Sequence, residues 1–255
     1  MKKRVISGIF FFLLCIVNIN AQTDMFSLYI GTSEDVKNNN RRVMLGLDNT
    51  ASEGTDSKDA VNIATTGYVF TSLIRSFDED KNYVRDTRPY GDGLYVDFRL
   101  YLELSATNTY KISGESTNGN PLAKAVFVRL IDKENPNLFI NLLEEDYLFN
   151  FTATSTTPVV FEDRFIARIY SCSLYKGDTT GNWHTADNWY GKVVPGNGVG
   201  RVDQHILIPA TSTVTVTSSN PTIKTLYNSG NVIIETGASL TVENEVKLDS
   251  KEKYY

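Results

Sequence analysis

From Leu94 to Leu104 the chain alternates without interruption: Val96, Phe98, Leu100, Leu102 and Leu104 fall on one face, Asp97, Arg99, Tyr101 and Glu103 on the other. A two-residue period puts every second side chain on the same side of an extended strand, whereas a helix would scatter them around its axis. The segment therefore predicts a half-buried strand. Runs from Ala125 to Ile131 and from Val159 to Tyr170 predict further strands, with turn chemistry at Asn118-Gly119-Asn120-Pro121 and at Asp132-Lys133-Glu134-Asn135-Pro136-Asn137. Many short strands with turns between them predict an all-β protein in which residues 22–175 form an antiparallel β-sandwich, jelly-roll-like in form.

The pattern changes after Leu174. Residues 176–202 are rich in Gly and Asn and hold both tryptophans, Trp183 and Trp189, reading as a connector and cap. From Asp203 aromatic residues nearly vanish. Short Val/Ile/Thr strands follow at Ile206–Ile208, Thr213–Val216, Thr222–Leu226, Val232–Glu235, Ser239–Val242 and Val246–Leu248, separated by Asn, Gly, Pro and Ser. Their spacing of about six to ten residues predicts stacked rungs over 203–250, the start of a parallel β-helix or solenoid. A sandwich of short strands is the competing reading. The rung pattern is still running at Lys251-Glu252-Lys253-Tyr254-Tyr255, which suggests a fragment of a longer protein.

Residues 1–21 have the three parts of a secretory signal peptide. Met1-Lys2-Lys3-Arg4 is basic, Ile9 to Val17 is unbroken apolar sequence, and Ala21 offers a small residue before the expected cut. The apolar run is shorter than the roughly 20 residues a spanning helix needs, and nothing later approaches that length. A lipid anchor at Cys15 would want a small residue where Leu14 stands. The mature chain is therefore expected to be secreted or held on the outer cell surface, without spanning a membrane. Cys172 is then the only cysteine left, so no disulfide within the chain can form, and stability must come from packing. It alternates with Tyr170 and Leu174 and reads as a buried strand residue rather than a nucleophile.

The leader takes Lys2, Lys3 and Arg4 with it, leaving 22 basic residues against 30 acidic, a net charge of −8. That sign opposes binding to a phosphate backbone, and nucleic acid is not an expected partner.

Catalytic chemistry has little to work with. His184 and His205 are the only histidines, no Gly-x-Ser-x-Gly elbow occurs, and neither histidine has a partner at helical zinc spacing. Glu144-Glu145-Asp146 and Glu162-Asp163 could supply paired carboxylates for glycoside hydrolysis, but Asp163-Arg164 reads better as a structural ion pair or turn anchor. No catalytic residue is assigned, and no cofactor is expected apart from calcium. Asp78, Asp80 and Asn82 resemble the opening of a calcium loop, but Tyr83 stands where the tight turn needs glycine and Pro89 where a bidentate glutamate belongs. A solvated acidic loop is preferred, with an irregular calcium site as the alternative. Trp183, Trp189 and Tyr190, with Tyr175, could present flat faces to sugar rings, although such clusters more often plug the open end of a β-helix.

Two sets of residues carry a resemblance. Gly181-Asn182-Trp183, Ala186-Asp187-Asn188-Trp189, Val194-Pro195-Gly196, Asp203, Ile206 to Pro209, Val214-Thr215-Val216 and Gly237-Ala238-Ser239-Leu240-Thr241-Val242 together resemble a β-helix-like repeat module of Bacteroidetes surface proteins. Gly54 to Ala60, Tyr147-Leu148-Phe149-Asn150-Phe151 and Phe161-Glu162-Asp163-Arg164-Phe165 are similar to β-sandwich domains of the same adhesin-like group. The resemblance implies export through the type IX secretion pathway, ordinarily with a C-terminal sorting domain that this sequence does not show. It also marks Asp178-Thr179-Thr180 as similar to that group's O-glycosylation motif, with Thr179 as the acceptor. The expected function is a structural or adhesive one at an extracellular surface, matrix or glycan, without catalysis. The alternatives are a non-catalytic fragment of a polysaccharide-degrading protein and a carbohydrate-binding module.

Overall fold

The computed structural model describes residues 24–32, 42–48, 50–52, 57, 59–61, 70–75, 82–89, 94–116, 127–170, 172–176, 180–196, 205–217 and 220–248. The fold is all-β and consists of several sheets. Eleven strands make the first and largest: β1 (Asp24–Thr32), β2 (Arg42–Leu47), β3 (Ala60–Val61), β4 (Phe70–Arg75), β5 (Asn82–Arg88), β6 (Tyr95–Leu104), β7 (Asn108–Ser116), β8 (Phe127–Asp132), β9 (Ile140–Asn141), β10 (Tyr147–Phe151) and β11 (Val159–Tyr170). Their order is β10-β7-β1-β2-β5-β4-β6-β11-β8-β9, with β3 added on β5. Neighbours are antiparallel except β2 and β5, which run parallel and so depart from the fully antiparallel arrangement expected from the sequence.

The alternation read in β6 is physical: Phe98, Leu100, Leu102 and Leu104 are fully buried, while Asp97, Arg99, Tyr101 and Glu103 are only partly covered. Their buried neighbours come from both ends of the sheet. Phe149 of β10 and Phe165 of β11 meet with ring centroids 4.9 Å apart, although the strands lie far apart in the hydrogen-bonded order. Tyr147 also reaches Phe165, and Phe151 reaches Phe161. The sheet therefore curls over itself and encloses one core, without closing into a barrel. Each large apolar side chain removed from water there contributes roughly 1.5–3 kcal/mol.

The remaining strands pair in parallel, as two sheets. β12 (Ser173–Leu174), β14 (His205–Ile208), β16 (Thr222–Asn228) and β18 (Thr241–Leu248) form one, and β13 (Thr180–Asn182), β15 (Thr213–Val216) and β17 (Asn231–Ile234) the other. The chain visits the two sheets alternately. Val214 pairs with Val232 and Ile206 with Leu226, so one short coil separates each strand from the next in its sheet. The first coil is longer, since Ser173 pairs with Ile206 and Gly181 with Val214, and the whole tryptophan segment lies between. The segment read as a connector thus contains a strand of the stack, β13, and an insertion within the first coil. Of two expected strands, the second half of Ser239–Val242 and the whole of Val246–Leu248 lie in the single strand β18, which begins at Thr241 and whose register slips between its partners Ile223 and Thr225.

The two parts share apolar surface. Tyr170 and Phe127 point away from the first core yet are buried, because Cys172, Leu174, Leu207 and Tyr227 of the parallel stack pack with them. Tyr190 completes the contact, its ring stacked on Phe127 at 4.3 Å.

Candidate functional site

The tryptophan segment is built from the backbone outward. After β13, Asn182 turns the chain: its side-chain oxygen accepts the His184 N–H at 2.8 Å and its Nδ2 donates to Thr217 Oγ1 at 3.0 Å. Asn188 reaches back, donating from Nδ2 to the Asn182 carbonyl at 2.9 Å. Short 3-10 turns at 186–188 and 190–192 follow, the second passing through Gly191 at φ 75°. Glycine at 181 has a steric reason: a Cβ there would run into the Tyr175 hydroxyl and lie 2.6 Å from Asn188 Nδ2.

This local frame carries both indoles inward. Trp183 and Trp189 are fully buried, and each ring N–H is satisfied, Trp183 Nε1 by the Pro195 carbonyl at 2.9 Å and Trp189 Nε1 by the Trp183 carbonyl at 2.7 Å. Tyr175, also buried, meets Trp189 edge to face at 5.1 Å. Beneath them lie Ile206, Ile208, Val214 and Val216 of the next coil. Trp189 bridges antiparallel to Tyr175, and the Lys176 N–H donates to the Asn188 carbonyl at 2.9 Å, so the insertion lies along the outer edge of the first coil. The geometry is that of a plug. Of the trio Trp183, Trp189 and Tyr190, named as a possible ligand platform, the two indoles present no accessible face, and the partly buried Tyr190 lies against Phe127 with Lys176 Nζ 5.6 Å from its ring centre.

A second constellation centres on Asp132, which the sequence reading did not single out. Arg164 grips its carboxylate with two bonds of 3.0 Å, Tyr147 donates its hydroxyl at 2.7 Å, and the Glu134 N–H donates at 3.0 Å. Asn135 Nδ2 adds a bond of 3.2 Å. Burial alone would raise the pKa of Asp132, but these donors outweigh it and bring the group down to about 2. Burial, together with the bond to Asp132, pushes Tyr147 up to about 12. The Arg164 guanidinium lies over the rings of Phe165, Phe149 and Phe161 at 4.6, 5.2 and 5.4 Å, a cation–π arrangement. Asp163 and Arg164 are anchors, but not of each other. Asp163 pairs with Lys133 at 2.7 Å, and Arg164 with Asp132 and with Glu134 at 2.8 Å, so both tie β11 to the turn after β8. The signal was present in the Asp132-to-Asn137 turn, whose first residue commonly accepts hydrogen bonds from the residues after it.

The other candidates are dispersed. Glu144, Glu145, Asp146, Glu162 and Asp163 are all exposed, and Asp146 pairs with Lys111 at 3.3 Å. His184 follows β13 and His205 opens β14. No group of three or more metal-binding side chains occurs among the described residues. Asp78, Asp80 and Thr179 lie outside the described residues, as does the leader, and Asn82 is described only as the first residue of β5. Cys172 is buried, which pushes its thiol up to about 12. No helix among the described residues is long and apolar enough to cross a membrane. Comparisons with family models, curated proteins and solved structures found no match to this chain.

Proposed function

We propose that the chain is an exported structural or adhesive protein that acts by presenting surface, its N-terminal β-sandwich leading into the first coils of a parallel β-helix. The observation that carries this reading is the junction of Phe127, Tyr170, Leu174, Leu207, Tyr190 and Tyr227, which joins the curled sheet to the stack through a continuous apolar contact. Two β units fixed by such a contact hold a set orientation, as suits a protein that displays one part on the end of another. The regular parallel pairing from one coil to the next, Ile206 on Leu226 and Val214 on Val232, supports the β-helix, and the single core enclosed by the curled sheet supports the sandwich. The buried tryptophan plug favours a structural use of those aromatics over sugar stacking.

The test is retention of the purified chain on immobilised extracellular matrix polymers and on a glycan array, with soluble sugar release from the same polymers assayed in parallel. Retention without release supports the proposal. Release of sugar would replace it with a hydrolase, and absence of retention on every surface would remove the adhesive part. Fractionation of cells expressing the full sequence tests export: recovery only from the cytoplasm would overturn it.

A further inference from the structure

Three cations rest against three aromatic rings around the junction. The guanidinium carbon of Arg168 lies 3.6 Å from the centre of the Tyr95 ring, that of Arg129 lies 4.9 Å from Phe139, and Lys176 Nζ lies 5.6 Å from Tyr190. The buried rings of Phe127 and Tyr170 link these pairs: Phe139 and Tyr190 stack on Phe127, and Tyr95 meets Tyr170 edge to face at 5.8 Å. Sheet register sets the arrangement. Asp97, Arg168, Arg129 and Asn141 stand opposite one another in one row across β6, β11, β8 and β9. Asp97 holds Arg168 with two bonds of 2.7 and 2.9 Å, and Arg129 is the next residue of the row. Burial raises the pKa of the Tyr170 hydroxyl, and Arg168 and Arg129 both oppose that rise, so their charges converge on one point of the outer face. Like charges directly opposite in a sheet are destabilising. Tyr95, Phe139, Tyr190 and Lys176 are only partly buried, which leaves part of each in contact with solvent.

We propose that this patch binds an anionic polysaccharide, Arg168 and Lys176 pairing with its carboxylate or sulfate groups and the accessible parts of Tyr95, Phe139 and Tyr190 receiving apolar faces of its sugars. The inference rests on the adhesive reading above and gives it a ligand class. Charge complementarity selects the ligand. The three pairs bring three cations together with one carboxylate, Asp97, in a chain that carries 30 acidic residues against 25 basic. Glu134, Asp146, Glu162 and Asp163 lie at the other end of β8, β10 and β11, so the acidic surface is separate from the patch. Arg129, 4 % exposed, contributes its charge from beneath, whereas Arg168 and Lys176 offer donors to the ligand. An acid group placed beside the two opposed arginines relieves their repulsion, which a neutral sugar does not. Lys176 and Tyr190 belong to the first coil, at the end of the stack opposite β18.

Retention of the full chain on immobilised heparin, polygalacturonate and dextran, across a salt series, tests this. The expected result is retention on heparin, on polygalacturonate or on both, weakening with salt, and none on dextran. The first two polymers distinguish sulfate from carboxylate. Lys176→Glu weakens retention by about tenfold, while Lys224→Glu, the same charge change at an exposed site on β16, leaves it unchanged. The pair Asp97→Asn/Arg168→Gln also weakens it, although the net charge of the chain stays the same. Tryptophan fluorescence and circular dichroism confirm that each variant is folded. Equal losses from Lys176→Glu and Lys224→Glu, or full retention by the Asp97→Asn/Arg168→Gln chain, overturn the proposal. So does stronger retention on a DNA oligonucleotide than on either acidic polymer. Retention on dextran or on matrix polymers without retention on the acidic polysaccharides overturns this inference and leaves the adhesive reading standing, whereas retention on no surface removes both.

Discussion

The indole N–H of Trp189 donates to the main-chain carbonyl of Trp183 at 2.7 Å, and the two rings meet edge to face with centroids 5.0 Å apart. Each tryptophan thereby fixes the other: one supplies the acceptor, the other the lid above it. Replacing Trp189 by Ala removes a large buried ring and leaves a cavity over Ile206 and Val214, which costs about 3–5 kcal/mol. Because these are the two tryptophans of the chain, fluorescence reports directly. The native protein should emit as a buried indole and resist iodide quenching, and urea titration should show the loss in the Trp189→Ala variant. Easy quenching in the native state would refute the plug.

Asp132 gives the curled sheet a defined response to acid. Its pKa falls from an ordinary 3.8 to about 2 on folding, so its stabilising contribution is complete above pH 4 and is lost as the pH falls through the folded value. Asp132→Asn should remove that part of the acid dependence. At neutral pH the variant should also lose about 3 kcal/mol, since Arg164 remains among three aromatic rings without its buried partner. Denaturant titrations at pH 7 and between pH 4 and 2 check both effects, and identical acid sensitivity in the two proteins would show that Asp132 is not the responsible group.

Gly196 tests the plug from its far side. It sits at φ 93°, and a Cβ there would run into the Pro221 Cβ and stand 2.8 Å from its Cα. Gly196→Ala meets both a disfavoured backbone conformation and a clash, so the loss should exceed the roughly 1 kcal/mol of the backbone effect alone. Thermal unfolding of this variant beside Gly237→Ala separates the causes, because Gly237 has φ 88° but nothing within 4 Å of the added carbon.

Period-two alternation made β6 and β11 legible in the sequence, because a strand with one face in a core must repeat every second residue. β15 was legible for the same reason: Val214 and Val216 are buried, while Thr213 and Thr215 are not. Pairing was not legible. Nothing local says that β2 runs parallel to β5, or that Gly181 lies opposite Val214, since these partners are set by contacts distant in the chain. The burial of Tyr170 on the outer side of β11 was hidden likewise, because a second packing surface arrives only with Leu207 and Tyr227. Around Asp132 the motif was visible but its partners were not: adjacent Asp163 and Arg164 invited a pairing with each other, and the strand irregularity after Phe161 sends both toward the turn after β8.

Cys172 lies in that second packing surface, and its thiol is neutral throughout the ordinary pH range because burial disfavours the thiolate. Iodoacetamide at pH 8 should leave the folded protein unmodified and alkylate it fully in denaturant, as read by mass spectrometry. Rapid labelling of the native state would place Cys172 at an accessible surface instead.

The junction itself makes the strongest demand on the fold. Phe127 stacks on Tyr190 at 4.3 Å and on Phe139 at 5.0 Å, so one side chain of the curled sheet touches both the tryptophan insertion and its own β8–β9 connection. If the junction couples the two units, the wild-type chain should melt in a single transition. Phe127→Ala removes the shared ring and costs about 3–5 kcal/mol, but its distinctive effect should be on cooperativity. Tryptophan fluorescence, which reports the stack, and far-ultraviolet circular dichroism, dominated by the larger sheet, should coincide in the wild type and separate in the variant. Leu207→Asp, which approaches the same surface from the stack, should separate them too, because an unpaired carboxylate cannot remain among Phe127, Tyr170 and Tyr227. Coincident transitions in both variants would mean that the units are coupled elsewhere.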